Sequence, residues 1–276
     1  MSQLFSTLQK VLPQHGLSRL GGRIANSTTP WLKDLAIRQF ARAYNVDLQE
    51  AERGNFDDYT SFNDFFTRAL NADARPLAEG DQTLVSPADG TVSQLGHIHD
   101  DQLLQAKGHT YSVHSLAGEL GDEFNNGTFC TIYLAPSDYH RVHLPFSGTL
   151  THTKAIPGAL YSVNAATEAN IEGLFARNER LVCRFETEHG PMLVVLVGAM
   201  IVASIETDWL GPESPYVLVE DTEHHLVYRR GDEIGRFLLG STVICCFPEG
   251  SVNLAEHLTV GSKVKMGENL GTFNGV

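Results

Sequence analysis

The sequence is poor in the features that mark secreted, metal-binding and membrane-spanning proteins. Its 276 residues include four cysteines, none in C-x-x-C spacing, and the adjacent pair Cys245 and Cys246 is badly placed to form a disulfide. No secretory signal is evident. We therefore expect reduced, buried thiols and a reducing compartment. The apolar run at 192–205 is shorter than the roughly 20 residues of a spanning helix, so we expect one or two buried strands there.

Cations are also scarce, and they are unevenly placed. The chain has 20 Lys and Arg against 33 Asp and Glu, a net charge of −13. Residues 1–45 nevertheless carry a charge of +5, which leaves −18 for the rest of the chain. Such an asymmetry favours contact with an anionic surface. Nucleic acid is disfavoured as a partner, because the body is acidic and no recognition motif is present.

The basic segment also shows helical periodicity. Apolar residues form stripes at 4–12, 17–24 and 31–44, and the last stripe alternates aromatic residues with cations. These residues are Trp31, Leu35, Phe40 and Tyr44 with Lys33, Arg38 and Arg42 between them. Two interpretations stay open: interfacial helices on an anionic membrane, or helices that cap the core.

From about residue 84 the chain alternates strand-like runs with tight turns, and two of its motifs recur. The pattern P-x-x-G-T occurs at 87–91 and 145–149, and G-x-x-x-G-x-F occurs at 231–237 and 267–273. Before these motifs, a capping box at Ser61 to Asp64 predicts the start of a short helix, which we expect to end at Arg75-Pro76. We expect an α+β fold with a mainly antiparallel β core of pseudo-repeated strand-turn units. It divides into an N-terminal amphipathic helical segment, 1–75, and a β-rich catalytic domain, 76–276.

His140 and His143 form the densest polar cluster beside a predicted strand. Residues three apart in a strand face opposite sides, so the two histidines are expected to have separate roles. A surface pair and a zinc site are two interpretations of them. Neither H-E-x-x-H nor a cysteine ligand pair is present, so we expect no metal.

A Ser-His-Asp set is the third interpretation, and Asp89, His143 and Ser241 could supply it. A serine needs a base to take its proton, and the base needs a partner that fixes its tautomer. The G-x-S-x-G elbow of common hydrolases is absent, and Ser241 lies in an apolar run that reads as one strand. A serine in mid-strand is better placed to attack the carbonyl of Gly240 than an incoming substrate. Ester formation at Ser241, elimination of the Gly240 carboxylate and hydrolysis would leave a pyruvoyl group and ammonia.

Several stretches together resemble the bacterial phosphatidylserine decarboxylases over nearly the whole chain. They are 65–68 (FFTR), 86–90 (SPADG), 133–143 (YLAPSDYHRVH), 157–164 (PGALYSVN), 178–180 (NER), 197–199 (VGA), 235–237 (GRF) and 239–242 (LGST). Met200 and Ala203 depart from the Thr and Gly expected in this family, which concerns local packing only.

The resemblance implies a proenzyme that cleaves itself between Gly240 and Ser241 into a β chain, 1–240, and an α chain, 241–276. Asp89, His143 and Ser241 match the family's self-cleavage triad, and Ser241 would become a covalent pyruvoyl group. His140 matches a histidine beside that group that assists decarboxylation. The implied reaction converts phosphatidylserine to phosphatidylethanolamine through a Schiff base with the pyruvoyl group.

The implied location is the cytoplasmic side of the cell membrane, as a peripheral protein on an anionic surface. The expected partners are this lipid surface and the chain's own α and β pieces, and a homodimer stays open. Two rival functions also stay open: a lipid-directed serine hydrolase that uses the same triad, and a non-enzymatic β domain that binds lipid headgroups through residues 1–45.

Overall fold

The computed structural model describes residues 14–199, 205–211, 215–238 and 241–274. The predicted stripe at 4–12, the departures at Met200 and Ala203, and Gly240 at the predicted cleavage site lie outside the described residues. So do the side chains of Leu17 and Leu20 in the second stripe.

Three of the described helices precede the strands, and three short ones lie between strands. They are α1 (Gln14–Ala25), α2 (Pro30–Tyr44), α3 (Phe62–Phe66), α4 (Val113–Ala117), α5 (Ala165–Glu168) and α6 (Leu174–Arg177), with 3-10 turns at Phe56–Asp58, Ala106–Gly108 and Gly118–Phe124. Among the described residues, no helix has the length and apolar content to span a bilayer.

The strands are β1 (Thr83–Val85), β2 (Gly90–His97), β3 (Gln102–Leu104), β4 (Thr110–Ser112), β5 (Thr128–Leu134), β6 (Arg141–His143), β7 (Gly148–Ile156), β8 (Arg180–Thr187), β9 (Gly190–Gly198), β10 (Ile205–Thr207), β11 (Glu220–Tyr228), β12 (Glu233–Phe237), β13 (Ser241–Phe247), β14 (Val252–Leu254), β15 (Lys263–Val264) and β16 (Asn269–Phe273). Eight of them form one sheet in the order β11-β7-β8-β9-β13-β5-β2-β15. Two three-stranded sheets, β1-β16-β14 and β10-β12-β6, and the pair β3-β4 complete the described sheets. Neighbouring strands run antiparallel, which confirms the predicted fold class.

The large sheet separates two apolar clusters. Along β13, Val243 and Cys245 point into the cluster shared with the two small sheets, while Ile244 and Cys246 point to the opposite side, towards α4 and α6. This is the alternation expected of a strand that is buried on both faces. A third cluster joins α2 and α3 to Leu238, at the end of β12.

The two sequence repeats form a pseudo-two-fold arrangement. The His143 N–H donates to the Pro87 carbonyl at 2.8 Å, and the matching Val85 N–H donates to the Pro145 carbonyl at 3.0 Å. Each G-x-x-x-G-x-F motif contacts the strand before one P-x-x-G-T motif in an equivalent way. The Leu144 N–H donates to the Asp232 carbonyl, and the Ser86 N–H donates to the Glu268 carbonyl. The pseudo-two-fold arrangement therefore makes β1 equivalent to β6, β16 equivalent to β12, and β2 equivalent to β7. The prediction of pseudo-repeated strand-turn units is confirmed.

Two local predictions need correction. The Ser61 hydroxyl does accept the Asp64 N–H at 3.1 Å, but α3 ends at Phe66, well before Arg75. The run at 237–247 is not one strand: β12 ends at Phe237 in a small sheet, and β13 begins at Ser241 in the large one. The break follows from Leu238, whose side chain is buried among the aromatic residues of α3. Ser241 is therefore a strand-initial residue and not a mid-strand one.

Candidate active site

Ser241 begins β13 at the centre of the large sheet. It pairs with Leu134 of β5 on one side and with Gly198 of β9 on the other. By strand alternation its side chain faces the same side as Val243, towards the small sheets. The residue is fully buried, and its hydroxyl has no hydrogen-bond partner among the described residues. A buried polar group without a hydrogen bond lowers the stability of a fold by about 1–3 kcal/mol, so Ser241 is unfavourable for stability at this position.

Asp89 lies two strands away from Ser241, in the turn that leads into β2. Thr91 pairs with Tyr133, the neighbour of Leu134, so the start of β2 and Ser241 flank the same end of β5. Two strand spacings correspond to roughly 10 Å. A Cβ at Gly90 would lie 2.4 Å from the Tyr133 carbonyl, so only glycine allows this approach of the turn to β5.

The Asp89 carboxylate is held by a buried arginine. Arg75 donates Nε to Oδ1 at 2.9 Å and Nη2 to Oδ2 at 2.5 Å, and the Met266 N–H donates to Oδ1 at 2.8 Å. Arg75 also bonds Glu50 at 2.8 Å, which in turn bonds Lys265. Burial opposes the charge of Arg75, but its bonds to Asp89 and Glu50 outweigh burial and raise its pKa. Bonds from Arg75 and Lys265 lower the pKa of Glu50 to about 2. Asp89 is thus one member of a fixed ion network.

His143 has both ring nitrogens engaged. Nδ1 lies 2.8 Å from the Gly231 carbonyl, which can only accept, so Nδ1 carries the proton. Nε2 is then the basic nitrogen, and it accepts the Tyr139 hydroxyl at 3.0 Å. Burial lowers the pKa of His143, against the Gly231 bond and the charges of Glu233 and Asp89, which raise it. The ring is therefore a neutral base with a fixed tautomer.

His140 has a different environment. Its Nδ1 donates to the Asp138 carbonyl at 2.8 Å, and its ring lies 4.0 Å from that of Phe66 on α3. Complete burial lowers its pKa to about 3. Nε2 is a buried acceptor with no partner among the described residues. Both histidines are buried and their contacts differ, so the surface-pair interpretation is wrong.

The predicted site residues are gathered in one region, but not as a chain of direct hydrogen bonds. The backbone contact between Pro87 and His143 brings Asp89 near the imidazole, and Ser241 faces the layer that carries β6. Among the described residues, Asp89 bonds Arg75 in place of His143, and no group of three His, Cys, Asp or Glu side chains is placed to hold a metal ion. Sequence reasoning missed the roles of Arg75 and Tyr139. Tyr139 was within a recognised stretch, whereas Arg75 was noted only as a helix end.

Comparison with known proteins assigns this arrangement to a family. A family model described as phosphatidylserine decarboxylase matches residues 62–272, and one described as PSD matches residues 4–45. The chain is 52% identical over 280 residues to the phosphatidylserine decarboxylase proenzyme of Alcanivorax borkumensis, covering 98% of this chain and 96% of that protein. The proteins of the same name from Psychrobacter cryohalolentis and Saccharophagus degradans are 50% and 49% identical, covering 98% and 96% of this chain and 98% and 96% of theirs. The chain therefore belongs to the phosphatidylserine decarboxylase family, which confirms the family, the enzyme class and the activity predicted from its sequence.

Proposed function

We propose that this protein converts phosphatidylserine to phosphatidylethanolamine after cleaving its own chain between Gly240 and Ser241. The observation that carries the proposal is the buried hydroxyl of Ser241 at the first position of β13, which has no hydrogen-bond partner in the described part of the chain. In the proposed step the hydroxyl of Ser241 attacks the carbonyl of Gly240, the residue before it. The unpaired hydroxyl is then a reactive group held ready for that attack.

His143 is the proposed base for this step. Its Nδ1–H is fixed by the Gly231 carbonyl, so Nε2 is the atom that takes the proton of Ser241. A protonated His143 is favoured by the charges of Asp89 and Glu233. Asp89 therefore acts on His143 through its charge, while Arg75 and Met266 hold it in place. The predicted triad of Asp89, His143 and Ser241 is retained in this form.

The strand pairing supports a complex in which the two products of cleavage stay together. The α chain, 241–276, contributes β13 between β5 and β9, β15 beside β2, and β16 beside β1. All four neighbours belong to the β chain, 1–240. Breaking the bond before Ser241 would leave these ladders intact, so each chain remains the other's structural partner.

The surroundings of Ser241 fit a pyruvoyl group at this position. Such a group supplies a ketone that binds the substrate amine and takes up the electrons left when CO2 departs. The ladder from Thr242 onwards would hold the start of the α chain between β5 and β9. The buried Nε2 of His140 offers an acceptor in the same region.

His140 is the proposed acid/base of decarboxylation. In the resting site it is neutral, with a pKa of about 3, so it cannot donate from Nε2. An anionic substrate beside the ring raises the histidine pKa and favours uptake of a proton there. That proton is then available to the substrate carbon from which CO2 has left. His140 thus becomes an acid only when substrate is bound.

The helical segment, 1–75, is proposed to contact the cytoplasmic side of the cell membrane. On α2, Ile37 and Ala41 are buried against α3, while Trp31 and Leu35 are 69% and 52% exposed on the other face, in line with Arg38 and Arg42. The helix therefore both caps the core and presents an aromatic, basic face suited to anionic lipid. Phe66 of the same helical cluster contacts His140, which joins this segment to the site.

Mass spectrometry of the purified protein tests the cleavage. We expect two chains, one ending at Gly240 and a smaller one that begins at residue 241 with a pyruvoyl group in place of a free amino terminus. We also expect the protein to release CO2 from phosphatidylserine vesicles. Ser241→Ala should remain one chain without activity. An intact wild-type chain with full decarboxylase activity would contradict the mechanism.

Vesicle flotation tests the membrane face. The double variant Trp31→Ala with Leu35→Ala should float less with anionic vesicles than the wild type, whereas Val227→Ala, at an exposed residue on β11, should float equally well. Equal flotation of the two variants would contradict the assigned face.

A further inference from the structure

Arg68 carries a buried positive charge that the fold does not neutralise by contact. The residue is 5% exposed, and its guanidinium lies 5.7 Å from the centre of the Phe65 ring. Its Nη2 donates to the Ser137 carbonyl at 2.9 Å, but Nη1 is buried without a hydrogen-bond partner among the described residues. A buried, incompletely bonded charge is costly, so a fold that keeps one has a use for it.

The nearby carboxylates are already engaged elsewhere. Asp89 is bonded by Arg75 and the Met266 N–H, and Asp138 accepts the Ala135 N–H at 2.8 Å. Burial lowers the pKa of Arg68, with Asp89 and Asp138 acting only as more distant charges. The Nη1 group of Arg68 therefore keeps a hydrogen-bonding capacity that the described residues do not use.

Arg68 is connected to the candidate active site through the turn that follows β5. The turn that it holds, Ser137–Asp138, follows β5, whose last residue Leu134 pairs with Ser241. The Asp138 carbonyl in this turn accepts the Nδ1–H of His140. The charge of Arg68 contributes to the low pKa of His140, after burial. Three of the buried polar atoms that have no partner among the described residues belong to this set: Arg68 Nη1, His140 Nε2 and Ser241 Oγ.

We propose that Arg68 binds the phosphodiester of the phosphatidylserine headgroup, an inference that rests on the proposed function. The substrate offers two anions, and the chemistry distinguishes them. The carboxylate loses its charge as CO2 leaves, so an arginine bonded to it would stabilise the substrate more than the transition state and slow the reaction. The phosphodiester keeps its charge throughout, so the same bond adds affinity without raising the barrier. Guanidinium groups also match phosphate oxygens well.

Steady-state kinetics of Arg68→Gln and Arg68→Lys on phosphatidylserine in mixed micelles test this role. A hydrogen bond between charged groups is worth a factor of roughly 10 to 150, so we expect KM for Arg68→Gln to rise by that factor while kcat stays within about threefold. Arg68→Lys should lie between this variant and the wild type. Both should still yield the α chain with its pyruvoyl end. Arg53→Gln is the matched control, because Arg53 also lies over an aromatic ring in the helical layer but is fully paired with Asp64; its KM should be unchanged.

A binding measurement separates affinity from turnover. Glycerophosphoethanolamine, which carries the phosphodiester without acyl chains, should inhibit the wild-type enzyme and lose that effect in Arg68→Gln. Ethanolamine, which lacks the phosphate, should inhibit both equally. A fall in kcat at unchanged KM, unchanged kinetics, or failure of both variants to mature would overturn the proposal. A wild-type protein that releases no CO2 would instead contradict the proposed function, so the two failures are distinguishable.

Discussion

Replacing Tyr139 by phenylalanine removes a hydroxyl that bonds Nε2 of His143, and we expect faster self-cleavage. The Gly231 carbonyl holds the proton on Nδ1, so Nε2 is the nitrogen that must accept the proton of Ser241. In the described geometry that nitrogen is occupied by the Tyr139 hydroxyl at 3.0 Å. The base must break this bond before it can act, so Tyr139 slows the reaction that His143 performs.

The size of the effect follows from the strength of one buried hydrogen bond. Such a bond contributes about 0.5–1.5 kcal/mol net, so removing it should accelerate cleavage by about 2- to 13-fold. The ring itself remains, and Tyr139 is 6% exposed, so the packing around His143 changes little. The rate is measured by pulse-labelling in cell-free translation and following the appearance of the α chain.

Tyr228→Phe is the matched control for the loss of a buried tyrosine hydroxyl. Its hydroxyl bonds Asp208, and β11 lies four strands from β13, a distance of roughly 19 Å, so cleavage should be unaffected. A different mechanism makes the opposite prediction. If Tyr139 passed the proton from Ser241 to His143, its loss would slow cleavage by about 10²- to 10⁴-fold, and such a result would refute the reasoning.

Four further variants test the rest of the site and one buried carboxyl. His143→Ala should leave the chain uncleaved on gels. His140→Ala should cleave normally but release CO2 about 10²- to 10⁴-fold more slowly. The reverse pattern in the two assays would show that the roles of the two histidines are exchanged. Asp89→Asn leaves Arg75 with Glu50 alone, so we expect slower cleavage and a free energy of unfolding lower by about 3 kcal/mol in urea titrations; an unchanged rate would contradict the electrostatic role of Asp89. Burial raises the pKa of Glu168 to about 7, so its stabilising contribution is complete below pH 4.5 and lost as pH rises through 7. Glu168→Gln should therefore be more stable than wild type by about 3 kcal/mol at pH 8 and equal to it at pH 4.5, and a difference independent of pH would contradict the assigned pKa.

The sequence was informative about the repeats and the family because both rest on short local motifs. The P-x-x-G-T motifs correctly indicated two equivalent strand starts, β2 and β7. The run at 237–247 was misread because strands buried on both faces have no polar alternation to mark where one sheet ends and another begins. The contact of Arg75 with Asp89 joins residues 14 positions apart across a turn, and no periodicity predicts such a pairing. The tautomer of His143 depends on Gly231, a backbone carbonyl whose position only the fold determines.

The pseudo-symmetry gives a physical reason for the location of the site. At one pseudo-equivalent position the Met266 N–H donates to the Asp89 carboxylate at 2.8 Å, and at the other the Arg230 N–H donates to the Ser147 hydroxyl at 2.9 Å. The same backbone donor therefore holds a charged acceptor in one half and a neutral one in the other. His143 likewise corresponds to Val85, and each donates its N–H to a proline carbonyl of the opposite repeat. Backbone contacts that recur in the two halves thus fix the positions of residues 89 and 143. The halves differ in the side chains at these positions, with Asp89 against Ser147 and His143 against Val85. These two differences place a carboxylate and an imidazole beside the start of β13.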